Sequence, residues 1–168
     1  MTLPVQGVSE LVLEVADMDR AVSFWSETLG FPIVDQWGDT DGQFTGSVSG
    51  DEVRATWIYV GGNTRLGLWL PREFSGEDEK RKARPVTDWP DSALYDEGGD
   101  HVHFALYVEE NEFDTAYEFL EQADIAVTKR DYEAEAPYQS LYFKDPDDHV
   151  VELYTRPMDE SYHSYKDR

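Results

Sequence analysis

Two segments of the chain repeat one pattern, and this repeat constrains the fold more than any other feature. Residues 10–15 read ELVLEV and residues 103–108 read HFALYV, so each is a strand-like run that opens on a possible metal ligand, Glu10 or His103. Each run leads into an acid-rich stretch with a helical pattern. Internal duplication of this kind predicts two matching folding units, with polar side chains at equivalent points of both.

Each copy continues with the same order of predicted elements. Apolar residues at three-and-four spacing predict helices over 18–29 and 111–123. Alternating or apolar runs predict eight main strands, at about 8–15, 31–37, 53–60, 64–70, 101–108, 125–131, 138–144 and 149–155. Residues 39–51 are expected to form a short strand or a long hairpin loop. The fold class is therefore α+β, built from two βαβββ modules.

The predicted domain organisation consists of two modules joined by a linker or lid and followed by a tail. The first module covers residues 1–70, a linker or lid 71–100, the second module 101–156 and a polar tail 157–168, all within one compact domain.

Composition excludes several classes of function. The 168 residues include no cysteine, so a metal would need oxygen or imidazole ligands. The net charge of −22, from 36 acidic and 14 basic residues, argues against nucleic acid and anionic membranes as partners. Acids spread along a chain that is 40% hydrophobic predict the acidic surface of a protein from a salt-loving organism. Because no membrane span or signal-peptide pattern is evident, we expect a cytoplasmic protein.

The segment Tyr142-Phe-Lys-Asp-Pro-Asp-Asp-His-Val-Val-Glu-Leu-Tyr154 is the most specific motif. Together with the duplicated modules, it resembles the vicinal oxygen chelate superfamily, which includes glyoxalase I, extradiol dioxygenases and the bleomycin resistance proteins. The motif is similar to the family's strand, DPDG-type turn and final strand. Asp148 stands where the family usually has glycine, a tolerable change because Asp also adopts left-handed turn conformations. The resemblance implies two half-barrels that form a cup.

In that superfamily, metal ligands come from the first and last strand of each module, and the equivalent positions here are Glu10, Gly67, His103 and Glu152. The resemblance therefore implies a divalent ion held by Glu10, His103 and Glu152. Strand alternation supports this, because His103 shares a face with Ala105 and Tyr107, opposite to three apolar residues. A buried carboxylate pair is costly unless a cation or a proton compensates it, so two Glu and one His converging in the cup predict a divalent ion. This donor set suits Fe, Mn, Zn or Mg.

Other residues are candidates with open alternatives. Five large aromatic residues are expected either to line a substrate cavity or to fill the core: Trp57, Trp69, Tyr107, Tyr142 and Tyr154. His101 lies on the same face as His103 and is interpreted as a spare ligand, an acid/base group or, more simply, a strand-end histidine.

The resemblance implies an enzyme whose metal binds a small substrate through two oxygens, with dioxygenase-like or glyoxalase-like chemistry in which Glu152 takes part. Gly67 departs from glyoxalase I, which has a carboxylate or amide there. Glu10 departs from the extradiol dioxygenases, whose usual set is two His and one Glu. The alternative function is a metal-free binding protein of the bleomycin-resistance type. Whether the cup closes within one chain or across a homodimer stays open.

Overall fold

The computed structural model describes residues 7–71, 85–87, 103–132 and 138–156. The chain divides into two compact units, one of residues 1–88 with 145–148 and one of residues 89–144 with 149–168. Most of the predicted linker or lid at 71–100, His101 and the tail at 157–168 lie outside the described residues. The domain boundaries drawn from the sequence therefore stay a prediction.

The described part of unit 1 contains a five-stranded mixed sheet, a helical segment at 18–28 and a 3₁₀ turn at Gly50–Glu52. Helix α1, Met18–Val22, begins after Asp17, whose side chain accepts a hydrogen bond from the Arg20 N–H at 3.1 Å. The strands are β1 Glu10–Glu14, β2 Ile33–Thr40, β3 Gln43–Gly46, β4 Val53–Gly61 and β5 Thr64–Trp69. Their order in the sheet is β1-β5-β4-β2-β3, with β1 parallel to β5.

The helix predicted over 18–29 changes its winding part-way. From Ser23 to Thr28 it is a π-helix, and the Leu29 N–H donates to the Phe24 carbonyl, five residues earlier, at 2.9 Å. This wider segment carries Trp25, which is fully buried. The sequence periodicity predicted a helix here but did not distinguish the two windings.

The two faces of the unit 1 sheet differ as strand alternation requires. Leu13, Ile58, Leu66 and Leu68 are buried on the face that packs against α1. The opposite face carries Glu10, Val12, Trp57, Gly67 and Trp69, and Val12 is 55% exposed there. The polar and aromatic candidates of this module therefore share the face turned away from its core.

Unit 2 contains a four-stranded sheet and helix α2, Phe113–Gln122, which follows a 3₁₀ turn at Glu110–Glu112. The strands are β6 His103–Tyr107, β7 Thr128–Tyr132, β8 Tyr138–Lys144 and β9 Val150–Tyr154. Their order is β6-β9-β8-β7, with β6 parallel to β9, which repeats the first-to-last strand pairing of unit 1. The duplication predicted from the sequence is therefore present in the backbone.

The turn between β8 and β9 belongs to unit 1. Asp147 is fully buried, and its Oδ1 accepts hydrogen bonds from the Ala16 N–H at 3.1 Å and from the Arg20 guanidinium at 2.9 Å. Asp148 has a φ of 61°, in the left-handed region that glycine and Asp tolerate. The expectation that Asp can replace the usual glycine of this turn agrees with that conformation.

Within the described part of the chain, no helix is both long enough and apolar enough to span a bilayer.

Candidate metal and substrate site

In unit 2, His103 and Glu152 are in direct contact. His103 opens β6, and Glu152 lies in the middle of the neighbouring strand β9, opposite Ala105. His103 Nε2 and Glu152 Oε2 are 3.0 Å apart. The His103 side chain is partly exposed, whereas Glu152 is only 6% exposed. Two of the three predicted metal ligands therefore form one pair.

The other oxygen of Glu152 is held from the opposite side. Glu152 Oε1 accepts hydrogen bonds from the Ser140 hydroxyl at 2.5 Å and the Tyr142 hydroxyl at 2.7 Å. Tyr142 lies directly opposite Glu152 in the β8–β9 register, and its ring meets the His103 ring edge to face at 5.5 Å. Because Ser140 and Tyr142 are themselves buried, the carboxylate orientation is set by packed donors rather than by solvent.

This pair fits a divalent metal. Two neighbouring ligands of an octahedral ion, bound at about 2.1 Å and at right angles to each other, lie about 3.0 Å apart, which is the separation of His103 Nε2 and Glu152 Oε2. A tetrahedral ion would need about 3.4 Å. Imidazole nitrogen and carboxylate oxygen are both common ligands of Zn, Mn and Fe. Ser140 and Tyr142 supply the outer hydrogen bonds that ligating carboxylates usually receive.

In unit 1, Glu10 is oriented by an indole. Trp57 Nε1 donates to Glu10 Oε1 at 2.8 Å. Glu10 lies on β1 and Trp57 on β4, with β5 between them, so this hydrogen bond passes over Gly67 of β5. Glu10 Oε2 accepts no hydrogen bond from the residues that the structure describes, so one oxygen remains for a metal or a substrate proton.

Because Gly67 has no side chain, the Trp57–Glu10 hydrogen bond has room to form above it. An added Cβ at residue 67 would lie 2.7 Å from Glu10 Oε1 and 2.9 Å from Trp69 Nε1, closer than carbon atoms approach such groups. The space that a side chain at residue 67 would need is therefore taken by the Glu10 carboxylate and the Trp69 indole. Trp69 Nε1 is buried and has no hydrogen-bond partner among the described residues.

The five predicted substrate-binding aromatics separate into different environments. Trp57 and Trp69 contact each other edge to face at 5.5 Å, in a cluster that also includes Trp37 and Phe44. Tyr142 lies at Glu152. Tyr107 is half exposed and donates to Glu109, while Tyr154 packs edge to face on Tyr138. The structure thus places Trp57 and Tyr142 against candidate ligands and Trp69 against Trp57, and the substrate roles of all five stay predictions.

The three-ligand set as a whole also stays a prediction. Glu10 belongs to unit 1, whereas His103 and Glu152 belong to unit 2. Among residues 7–71, 85–87, 103–132 and 138–156, no three His, Cys, Asp or Glu side chains form a group that could hold a metal. The grouping of all three residues rests on the family resemblance, whereas the structure describes Glu10 in one unit and the His103–Glu152 pair in the other.

Sequence reasoning missed Ser140. Its signal was present, because Ser140 shares the two-residue period of Tyr142 and is a small polar residue beside the apolar run 141–143. Alternation identifies the face but not the partner, and the partner depends on the pairing of β8 with β9.

Comparison with known proteins identifies the family. The sequence model of the glyoxalase/bleomycin resistance protein/dioxygenase superfamily matches residues 7–153, which is most of the chain. The protein belongs to this superfamily. The resemblance inferred from the duplicated modules and the motif at 142–154 is confirmed, and so is the α+β fold class. Superfamily membership does not by itself identify a substrate.

Relatives in the superfamily include named enzymes. The chain is 29% identical over 150 residues to "Glutathione transferase FosA" of Serratia marcescens, covering 89% of this chain and 81% of that protein. It is 25% identical over 166 residues to "Metallothiol transferase FosB" of Shouchella clausii, covering 96% and 88%.

Solved structures show the same fold at low sequence identity. A mutant of the fosfomycin resistance protein FosX of Listeria monocytogenes, solved with Mn(II) and 1S,2S-dihydroxypropylphosphonic acid, aligns with a TM-score of 0.58 at 14% identity. The alignment covers 94% of this chain and 98% of that one. Lactoylglutathione lyase of Agrobacterium tumefaciens aligns with a TM-score of 0.58 at 20% identity, covering 91% and 96%.

Proposed function

We propose that the protein is a metal-dependent enzyme in which Glu10, His103 and Glu152 bind a divalent ion. The observation that carries the proposal is the buried Glu152 carboxylate, with one oxygen held by two hydroxyls and the other 3.0 Å from His103 Nε2. Isolated buried carboxylates are costly, and a preorganised carboxylate and imidazole pair is typical of metal sites. Glu10, with one oxygen bonded to Trp57, is the proposed third ligand.

The proposed substrate is a small molecule that presents two oxygens to the ion. A bound divalent ion supplies Lewis-acid stabilisation of negative charge on such oxygens. Ser140 and Tyr142 keep the Glu152 carboxylate oriented, and Trp57 does the same for Glu10. The Glu10 oxygen that accepts no hydrogen bond from the described residues is the one that would bind the ion.

The names of the relatives favour Lewis-acid chemistry over oxygen activation. Two curated relatives are named as transferases, and one solved structure of the same fold contains Mn(II) and a dihydroxypropyl phosphonate. We therefore propose Lewis-acid chemistry, either transfer of a group to a small oxygenated compound or glyoxalase-like proton transfer, in preference to oxygen activation. Mn, Mg, Zn and Fe all remain compatible with the donor set.

Metal analysis tests the proposal. Protein purified without chelators in high salt is expected to contain one divalent ion per chain, and Glu152→Gln is expected to lose it. Glu14→Gln is the matched control, because Glu14 is exposed and lies on the same strand and face as Glu10. It removes one negative charge and should keep the metal.

A second variant separates loss of a ligand from loss of folding. His103→Asn changes a partly exposed side chain, so its circular dichroism spectrum should match that of the wild type while its metal content falls. Metal-free wild-type protein that does not take up Mn²⁺ or Zn²⁺ would reject the proposal and favour the metal-free binding protein.

A further inference from the structure

A cavity outside the candidate metal site lies at the β4–β5 hairpin of unit 1. Its volume is about 270 Å³, and it is lined by Ser9, Val34, Tyr59 and the hairpin residues 62–65. None of its lining residues is Asp or Glu, although 36 of the 168 residues of the chain are acidic. The wall of this cavity therefore differs in charge from the chain as a whole.

Arg65 supplies the charge of the cavity. Its backbone N–H donates to the Ser9 carbonyl at 3.2 Å, and it lies opposite Glu10 in the β1–β5 register. The Glu10 carboxylate nevertheless bonds to Trp57 Nε1, and the Arg65 guanidinium makes no ion pair with any residue in the described ranges. An arginine beside a carboxylate that is held by another donor keeps its five N–H groups available for an incoming anion.

The hairpin that forms the wall is fixed by its own bonds. The Tyr59 hydroxyl donates to the Gly62 carbonyl at 3.2 Å, and the Thr64 hydroxyl donates to the Val8 carbonyl at 2.9 Å. Gly61 and Gly62 have φ values of 113° and 55°, which only glycine adopts readily. The cavity is thus built on a constrained turn rather than on loose surface side chains.

We propose that this cavity binds a small oxyanion, of the carboxylate or phosphate type, through the Arg65 guanidinium. Asn63 and Ser9 add neutral hydrogen-bond donors, and the Tyr59 ring and Val34 contact the carbon chain that bears the anion. The site needs no metal, so it goes beyond the function proposed above. Because Arg65 and Glu10 face each other across neighbouring strands, about 4.8 Å apart, a bound anion would lie next to a candidate metal ligand.

The net charge of −22 does not prevent this binding in concentrated salt. At an ionic strength of about 1 M the Debye length is about 3 Å, so repulsion from distant acids is screened. A direct bidentate contact between guanidinium and oxyanion acts at hydrogen-bond distance and depends much less on that screening.

The test is an NMR titration of the full chain in about 1 M KCl, after metal has been removed with EDTA and the EDTA then exchanged out, using inorganic phosphate in one arm and acetate in the other. We expect at least one anion to shift the Arg65 Nε–H signal and the backbone amides of 62–65. Arg65→Gln should weaken that binding about tenfold or more, and Arg65→Lys should weaken it less, since lysine keeps the charge but not the planar fork.

Arg54→Gln is the matched control. Arg54 lies on the neighbouring strand β4, on the face opposite to Tyr59, and its replacement removes the same positive charge. The dissociation constant of the anion should stay within about twofold of the wild-type value, because only the long-range electrostatic potential changes, and salt screens that potential. Whichever of phosphate and acetate binds more tightly identifies the type of anion that the cavity prefers. Equal losses in both arginine variants, unchanged binding in Arg65→Gln, or no binding of either anion would overturn the proposal. Because EDTA removes metal, these outcomes are independent of the metal analysis.

Discussion

Gly67→Ala should disturb the candidate site through one methyl group. The added Cβ would lie 2.7 Å from Glu10 Oε1, while ordinary contacts begin at 3.4 Å, so the carboxylate must retreat by about 0.7 Å. Movement of about 0.7 Å directly away from the added Cβ would shift Oε1 mainly sideways to the 2.8 Å bond from Trp57 and bend that bond. Trp69 Nε1 lies 2.9 Å from the added Cβ and so restricts the directions in which the methyl group itself could shift.

The expected cost has two parts. A hydrogen bond to a charged group contributes about 1.5–3 kcal/mol, and bending this partly buried one is expected to lose about 1 kcal/mol of that. Overpacking against the Trp69 ring adds about 1 kcal/mol. We therefore expect Gly67→Ala to lower the free energy of unfolding by about 2 kcal/mol.

Urea unfolding in high salt, followed by tryptophan fluorescence, measures this cost in wild type, Gly67→Ala, Glu10→Ala and the double variant. If the methyl group acts through Glu10, the cost of Gly67→Ala should fall by about 1 kcal/mol or more in the Glu10→Ala background. A strictly additive double variant, or a Gly67→Ala protein as stable as the wild type, would refute this reasoning.

Two more predictions concern buried hydrogen bonds. Asp147→Ala should lower the free energy of unfolding by about 3–5 kcal/mol, because it removes a fully buried carboxylate that accepts from the Ala16 N–H and the Arg20 guanidinium. A loss below about 1 kcal/mol in urea unfolding would contradict this. Trp57→Phe should weaken Mn²⁺ binding about tenfold by releasing Glu10, whereas Trp37→Phe, whose indole bonds Asp35, should not; equal affinities in a Mn²⁺ titration would exclude the role of Trp57.

Much of the fold was predictable because its signals are local. The period-two alternation at 103–107 assigned His103 and Tyr107 to one face, and the burial pattern of β6 agrees. The βαβββ order of each module followed from the repeat, and each predicted strand has its counterpart in the described residues. The sequence is compatible with either a strand or a hairpin loop at 39–51, because this Gly- and Asp-rich segment carries no clear period, and the structure forms the strand Gln43–Gly46 there.

The candidate site was predictable only in part. The motif at 142–154 and the repeat predict Glu152, His103 and Glu10 as ligands, and the structure brings His103 and Glu152 together. Ser140 and Arg65 carry no motif. Their relevance depends on which residue each faces, and local periodicity contains no information on cross-strand partners.

By itself, the sequence determined the duplication, the α+β modules and the residue types available to a metal, because periodicity and composition act along the chain. Tertiary structure decided which of these groups meet. Glu10 and Trp57 are 47 residues apart and on strands that are not neighbours, yet they bond because Gly67 between them has no side chain. Glu152 meets Ser140 and Tyr142 because antiparallel pairing brings β8 beside β9. Such contacts depend on strand order and register, which the packing of the whole unit selects.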